Sequence, residues 1–366
     1  MTNIRPLLET AVARGASDVH LQAGTPPMLR IEGDLQNFEG SAPLTHDEVL
    51  QFIASIVPER GPDELHDSIV RGLDFAWDVP ELARFRCSAH RHLGSVGIVM
   101  RIVPRTVPLP TELGLPAAVE EIARCQRGLT LVTGTSGSGK STTLASMVQT
   151  LNQSVKAKII TIEDPVEFVY PQQHALITQL EVGSDTPSFE QALRQALRQD
   201  PDLILIGELR DVETLRMALR AADTGHQVFA TLHSANAAQA VERVIAMFPA
   251  AEHKLLLSQL ANSIESILSQ RLVRGKDGRR RAVVEVLRAT PVTRKFILEQ
   301  RVLELRDAVE SRDAGMQSFD QHLLALFDDK IISEEEALRA ATNPERLSME
   351  MQGIHRTMGG LRPSWG

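Results

Sequence analysis

Eight consecutive residues, Gly134-Thr135-Ser136-Gly137-Ser138-Gly139-Lys140-Ser141, match the phosphate-binding pattern G-x-x-x-x-G-K-[ST]. The chemistry sets the spacing. Glycines let successive backbone N–H groups curl round a β-phosphate, and the helix expected to follow adds its partial positive charge. Lys140 is expected to reach the β- and γ-phosphates, and the Ser141 hydroxyl to ligate Mg²⁺. With Thr142 directly behind, Gly134, Thr135, Ser136, Gly137, Ser138, Gly139, Lys140, Ser141 and Thr142 form the candidate nucleotide-binding set.

Three further stretches carry side chains suited to the same reaction. Asp202-Leu203-Ile204-Leu205-Ile206-Gly207-Glu208 is an apolar run that ends in a carboxylate, a Walker-B-like placement for Glu208 at Mg²⁺ or its water. Thr161-Ile162-Glu163-Asp164-Pro165-Val166-Glu167 puts three carboxylates after a strand end, where one could orient or deprotonate an attacking water. Thr224-Gly225-His226 and Thr231-Leu232-His233 flank another strand, and a neutral His there could sense a γ-phosphate. Taken singly, each stretch also has an ordinary reading: a buried strand with a surface acid, a solvated acidic turn, a satisfied polar strand end. No Asn-Lys-x-Asp loop for guanine is present, since Lys276-Asp277 lacks the Asn and the spacing, so ATP is the expected nucleotide.

The elements that must position these residues follow from hydrophobic periodicity. Buried strands are expected at Leu129–Thr133, Lys158–Ile162, Leu203–Ile206 and Val228–Leu232, with helices from about 141 and over 188–199. Uninterrupted apolar strands alternating with helices predict a parallel sheet covered on both faces. From about 253 the spacing of Leu256, Leu260, Ile264 and Ile267 predicts one continuing helix, and helical patterns return at 316–328 and 333–341. Upstream, residues 103–116 contain Pro104, Pro108, Pro110 and Pro116 and read as an extended linker. It separates a small α+β domain, residues 1–102, from the ATPase domain, residues 117–366. In the small domain, helices are expected over 4–14 and 46–57, and strands over 17–22, 28–32 and two runs within 84–103. The tail from about 343, ending near Trp365, reads as less regular and partly flexible.

A net charge of −8 over 366 residues argues against a general polyanion binder, and no nucleic-acid partner is expected. With only two cysteines, Cys87 and Cys125, a disulfide framework and a four-Cys zinc site are excluded. No run approaches the roughly 18 apolar residues of a membrane span. A cytoplasmic protein without direct membrane insertion is therefore expected, with any membrane role supplied by a partner.

In order and interval, these four stretches resemble the Walker A, aspartate, Walker B and histidine boxes of the secretion-ATPase superfamily. Residues 15–35 (GASDVHLQAGTPPMLRIEGDL), Gly207-Glu208-Leu209-Arg210-Asp211, residues 269–272 (SQRL) and 315–326 (GMQSFDQHLLAL) resemble the PilT-like pilus retraction motors in particular. The resemblance implies a RecA-like P-loop core with a parallel-rich sheet and C-terminal helices, preceded by a PAS-like α+β domain. It implies a homo-hexameric, Mg²⁺-dependent ATPase in which nucleotide turns one domain against the other, acting on an inner-membrane pilus platform protein, with a second pilus ATPase as a possible partner. It also implies roles: Glu163 as catalytic base, Glu208 in support of Mg²⁺ and the nucleophile, His226 and His233 as reporters of the γ-phosphate. Arg86 and Arg101 correspond by context to two N-terminal arginines that approach the phosphates, with Arg84 and Arg91 as near competitors. One segment departs from the family. The retraction motif AIRNLIRE is matched by residues 292–299 only at Arg294, Ile297 and Glu299, which leaves the accessory, PilU-like branch open. A nucleic-acid translocase and an ATP-binding scaffold without turnover are the competing readings.

Overall fold

The structure is a computed structural model and describes residues 4–57 and 61–353. The chain forms two compact units. Among the described residues, the first comprises 4–107 together with 163–171 and 180–187; the second takes 108–162, 172–179 and 188–353. The chain thus passes from one unit to the other inside the proline-rich segment, and the acidic stretch after Ile162 packs with the first unit.

The first unit runs α1 (Arg5–Ala13), β1 (Asp18–Gln22), β2 (Met28–Ile31), β3 (Asp34–Asn37), α2 (His46–Ile56), α3 (Pro62–Arg71), β4 (Leu73–Val79), β5 (Ala83–His92) and β6 (Ser95–Val103). Its strands make one antiparallel sheet in the order β3-β2-β1-β6-β5-β4. Alternation along β5 shows the two faces: Phe85, Cys87 and Ala89 are buried, while Arg86 and Ser88 are exposed. The buried face joins Val19, Leu21, Ile98 and Met100 to Leu7 and Leu8 of α1, Val49 and Ile53 of α2, and Leu65 and Ile69 of α3. Burying each such side chain contributes about 1.5–3 kcal/mol. Helix α2 starts on a capping box in which Thr45 and Glu48 each satisfy the other's backbone N–H.

The second unit contains α4 (Ala117–Ala123), β7 (Gly128–Thr133), α5 (Lys140–Ser154), β8 (Lys158–Glu163) and β9 (Leu176–Glu181) except for Glu163, Leu180 and Glu181 at their ends, α6 (Phe189–Ala196), β10 (Leu203–Ile206), α7 (Val212–Asp223), β11 (Gln227–Leu232), α8 (Ala237–Met247) and α9 (His253–Ser263). Strands β12 (Ile264–Arg274) and β13 (Arg280–Arg288) follow, then α10 (Pro291–Leu298), α11 (Glu304–Glu310), α12 (Phe319–Asp328), α13 (Glu334–Ala340) and α14 (Pro344–Met351). The sheet order is β13-β12-β7-β11-β10-β8-β9, with β12, β7, β11, β10 and β8 mutually parallel. Every residue of β10 and β11 is buried, as a sheet covered on both faces requires.

One sequence expectation is overturned here. Residues 253–267 are not a single helix: α9 ends at Ser263, and Ile264 begins a strand. Ile264 and Ile267 continue the helical spacing of Leu256 and Leu260, but β-branched side chains suit a strand equally. Pairing with the edge of β7, Ile264 against Leu129 and Ile267 against Leu131, decides the outcome. Of the tail, α14 is regular to Met351; the part of that expectation covering 354–366, Trp365 included, lies outside the described residues.

The C-terminal helices enclose a satellite core of Val273, Val283, Phe319, Leu323, Leu326, Ile332, Ala337 and Leu347. His322 of α12 is buried beside it, and its Nδ1 accepts a hydrogen bond from the Val284 N–H at 2.9 Å. Burial, the larger cause, lowers its pKa from 6.5 to about 4. Between those values the unfolded chain binds a proton that the native protein does not, so stability falls with falling pH, by about 1.4 kcal/mol per pH unit at most. The thermal midpoint is expected to drop between pH 6.5 and 4.5. In His322→Asn, which cannot titrate, this slope is expected to be shallower; an equal slope would show that other groups control it.

Candidate nucleotide site

Strand β7 delivers the chain to the edge of the sheet as a buried run, and α5 takes it away from Gly139. Gly139 is the N-cap of α5 at φ 89°, a left-handed conformation that glycine adopts without strain. No side chain caps the helix, so its first-turn amides are left to a ligand or to solvent. Lys140 is 8% exposed, and its Nζ donates to the carbonyls of Gly134 (3.1 Å) and Thr135 (3.0 Å). Its ammonium therefore lies within the curl of the loop. Ser138 Oγ is buried with no hydrogen-bond partner among the described residues. Thr135, Ser136 and Gly137 are exposed, and Ser141 and Thr142 are half-buried in the first turn of α5. An inward-turned ammonium, uncapped amides and an unpartnered hydroxyl fit a polyphosphate.

Parallel register brings the other candidates to the same edge. Thr133 pairs with Leu232, so Gly134 and His233 leave their strands side by side. Ile206 pairs with Ala230 and with Ile162, so Gly207-Glu208 and Glu163 follow at matching heights. Strand β11 separates the P-loop strand β7 from β10, the strand that precedes Glu208. The Glu208 carboxylate is clamped: Oε2 accepts from Arg210 Nε at 2.8 Å, and Oε1 lies 3.1 Å from His233 Nε2. The Walker-B-like acid and the second histidine are thus one constellation, with Arg210 as a third member that sequence reasoning did not single out.

Magnesium fits as a metal held chiefly by its nucleotide. No group of three or more His, Cys, Asp or Glu side chains among the described residues is arranged to hold a metal. Mg²⁺ at phosphates needs only one or two protein oxygens and keeps waters. Ser141 Oγ would supply one; Glu208, with both oxygens engaged, would act through water.

His226 is not brought to this edge. It precedes Gln227, which pairs with Gly128 at the start of β7, so the six residues of β11 lie between it and His233. At roughly 3.3 Å per residue, that strand spans about 20 Å. His226 Nδ1 lies 3.1 Å from both the Ala221 carbonyl and Thr224 Oγ1, where it closes the end of α7. Within this chain His226 makes that helix-terminating contact, at the opposite end of β11 from His233.

In the first unit, Arg86 and Arg101 stand directly opposite each other on β5 and β6. Like charges so placed repel. Buried Asp18, next across the sheet, takes Arg101 Nε on Oδ1 at 2.9 Å and leaves the Arg101 side chain 64% exposed. The two competing arginines are committed elsewhere: Arg84 to Glu181 at 3.2 Å, Arg91 to the Gly94 carbonyl at 3.1 Å and His66 Nε2 at 3.2 Å. Glu163 ends β8, and its carbonyl accepts from Val182 N at 2.9 Å. Nearby, the Tyr170 hydroxyl is held well above its ordinary pKa by burial first, then by the charges of Glu163 and Glu167.

A glycine loop that joins a strand to an uncapped helix, with acidic ends of parallel neighbours beyond it, defines a P-loop nucleotide-binding protein with a RecA-like core. The chain belongs to the type II/IV secretion system protein family, whose model matches residues 1–318. It is 42% identical to the type IV pilus retraction ATPase PilT of Pseudomonas aeruginosa over 344 residues, covering 94% of this chain and 99% of that protein. It is 38% identical to the type IV pilus ATPase PilU of the same organism, over 94% of this chain and 90% of the relative. A crystal structure of the pilus retraction motor PilT with bound ADP superposes with a TM-score of 0.87 at 37% identity, covering 95% of this chain and 99% of that one.

Proposed function

We propose that this chain is a Mg²⁺-dependent ATPase that powers type IV pilus retraction. The observation that carries the reading is the single sheet edge on which the P-loop, the Glu208–His233 pair and Glu163 emerge together. Likeness to PilT along nearly the whole of both chains supports the pilus assignment. No helix among the described residues is long and apolar enough to cross a membrane. In this reading the motor is cytoplasmic and reaches the inner membrane through a platform protein.

In this reading Lys140 and the first-turn amides of α5 hold the β- and γ-phosphates, and Thr135, Ser136 and Thr142 line the exposed side of the loop. Glu163 takes the proton of the attacking water. The bond from water oxygen to the γ-phosphorus forms as the bond from that phosphorus to the β–γ bridging oxygen breaks. Glu208, held by Arg210 and His233, orients the water shell at Ser141. Bound Mg²⁺ would neutralise charge on the phosphate oxygens. Arg86 and Arg101 supply positive charge to the transition state from the small domain, residues 1–102, as it turns against residues 117–366 about the segment 103–116 within a homo-hexamer. A specific observation keeps an accessory, PilU-like role as the second reading: residues 292–299, which form most of α10 and its C-cap Glu299, depart from the retraction motif.

Steady-state ATP hydrolysis, measured across protein concentrations that span ring assembly, tests this. Turnover is expected to rise as the ring forms, and Arg101→Ala is expected to lower kcat by about a hundredfold with little change in ATP affinity. Binding without turnover at every concentration would favour the accessory role, and stimulation by DNA would favour a nucleic-acid translocase. An unchanged kcat in Arg101→Ala would make Arg101 only the partner of Asp18.

A further inference from the structure

The P-loop touches a residue of the SQRL stretch to which no role has been assigned. Gln270, in the middle of β12, is 3% exposed. Its Nε2 donates to the Ser138 carbonyl at 2.7 Å, and its Oε1 accepts from Thr143 Oγ1 at 2.7 Å. One carboxamide therefore spans the junction from loop to helix, from the residue before Gly139 to the first full turn of α5. Steric evidence points the same way. A Cβ on Gly139 would lie 2.7 Å from Gln270 Nε2, and a Cβ on Gly134 would lie 2.5 Å from the Gln270 carbonyl oxygen. Two glycines of the P-loop thus admit β12 as well as phosphate.

We propose that Gln270 is a positioning residue that sets the shape of the P-loop for nucleotide. A trans peptide directs its C=O and its N–H to opposite sides. Anchoring the Ser138 carbonyl on Gln270 turns the Gly139 N–H away from β12, and the bond to Thr143 holds the start of α5 in register with it. The amides that cradle phosphate are then preorganised rather than ordered at the moment of binding. Both bonds lie at the loop–helix junction, so the effect falls on ATP and ADP alike. This inference rests on the nucleotide site proposed above.

The test compares ATP and ADP affinity and the kinetic constants of wild type and Gln270→Met, which keeps side-chain length and loses both hydrogen bonds. Affinity for each nucleotide is expected to fall about tenfold, KM to rise by a similar factor, and kcat at saturation to stay within about twofold. A role in core packing alone would lower the thermal midpoint of the nucleotide-free protein and leave both affinities unchanged, which would overturn the proposal. Selective loss of ATP, or a fall in kcat at unchanged KM, would overturn it too. Thr143→Val removes one of the two bonds and decides the matter should Gln270→Met not fold: a loss of about threefold for both nucleotides is expected, and unaltered affinities refute the proposal. Wild-type protein that binds neither nucleotide would refute the nucleotide site itself, whereas wild-type binding with unaltered variants refutes only the role of Gln270.

Discussion

Lys140→Ala is expected to lose ATP binding and ATP hydrolysis together, with affinity falling about a hundredfold or more. The size of the effect follows from the place of the ammonium. It is almost fully buried, turned into the loop, and within 3.1 Å of the Gly134 and Thr135 carbonyls. A charge-assisted hydrogen bond contributes about 1.5–3 kcal/mol, and a lysine at the β- and γ-phosphates makes more than one. The truncation also strips a donor from two loop carbonyls, so the loop loses its internal brace along with its charge. Isothermal titration with ATP and ADP measures the outcome directly. High-affinity binding retained by Lys140→Ala would sink the P-loop assignment and the ATPase reading with it.

Glu163→Gln is expected to separate the two activities: ATP bound at near wild-type affinity, turnover reduced about 10²- to 10⁴-fold. The substitution is close to isosteric, so the backbone bond from Val182 N to the Glu163 carbonyl should persist, and β8 with it. What disappears is the capacity to accept a proton from water. Single-turnover hydrolysis together with nucleotide binding distinguishes the cases. Hydrolysis at the wild-type rate would remove Glu163 as the base and turn attention to Glu208, the other carboxylate on that edge. Loss of binding together with turnover would mean that Glu163 helps to hold the nucleotide.

Much of this molecule is local, and the local part is legible in the chain. The phosphate loop is eight residues in a row between an apolar strand and a helix, so its type can be read without knowing what lies across from it. Continuous apolar runs such as Leu203–Ile206 announce strands buried on both faces, and alternation with helices announces a parallel sheet. The less legible elements are those whose character depends on a partner. Residues 264–267 satisfy a helical period and a strand equally, and the edge of β7 selects the strand. In the first unit, the short strand β3 has no buried residue to mark it, so only its pairing with β2 defines it.

The site divides along the same line. His226 and His233 belong to one stretch of sequence and look interchangeable as γ-phosphate reporters. They bracket a single strand, and a strand has two ends: His233 meets Glu208 at one, and His226 closes α7 at the other. Four arginines within eighteen residues compete on paper, yet Glu181, distant in sequence, holds Arg84, the local Gly94 carbonyl holds Arg91, and Arg86 and Arg101 are left as the facing pair. Gln270 gives no sign of its contacts, because the carbonyl it grips lies 132 residues earlier in the chain. By itself the sequence determined the chemistry on offer, a phosphate loop with acids and histidines at strand ends, because those signals depend on neighbours along the chain. Only the tertiary structure decided which of those groups share an edge, which are neutralised and what braces the loop, because strand register and long-range hydrogen bonds join residues that the chain keeps far apart.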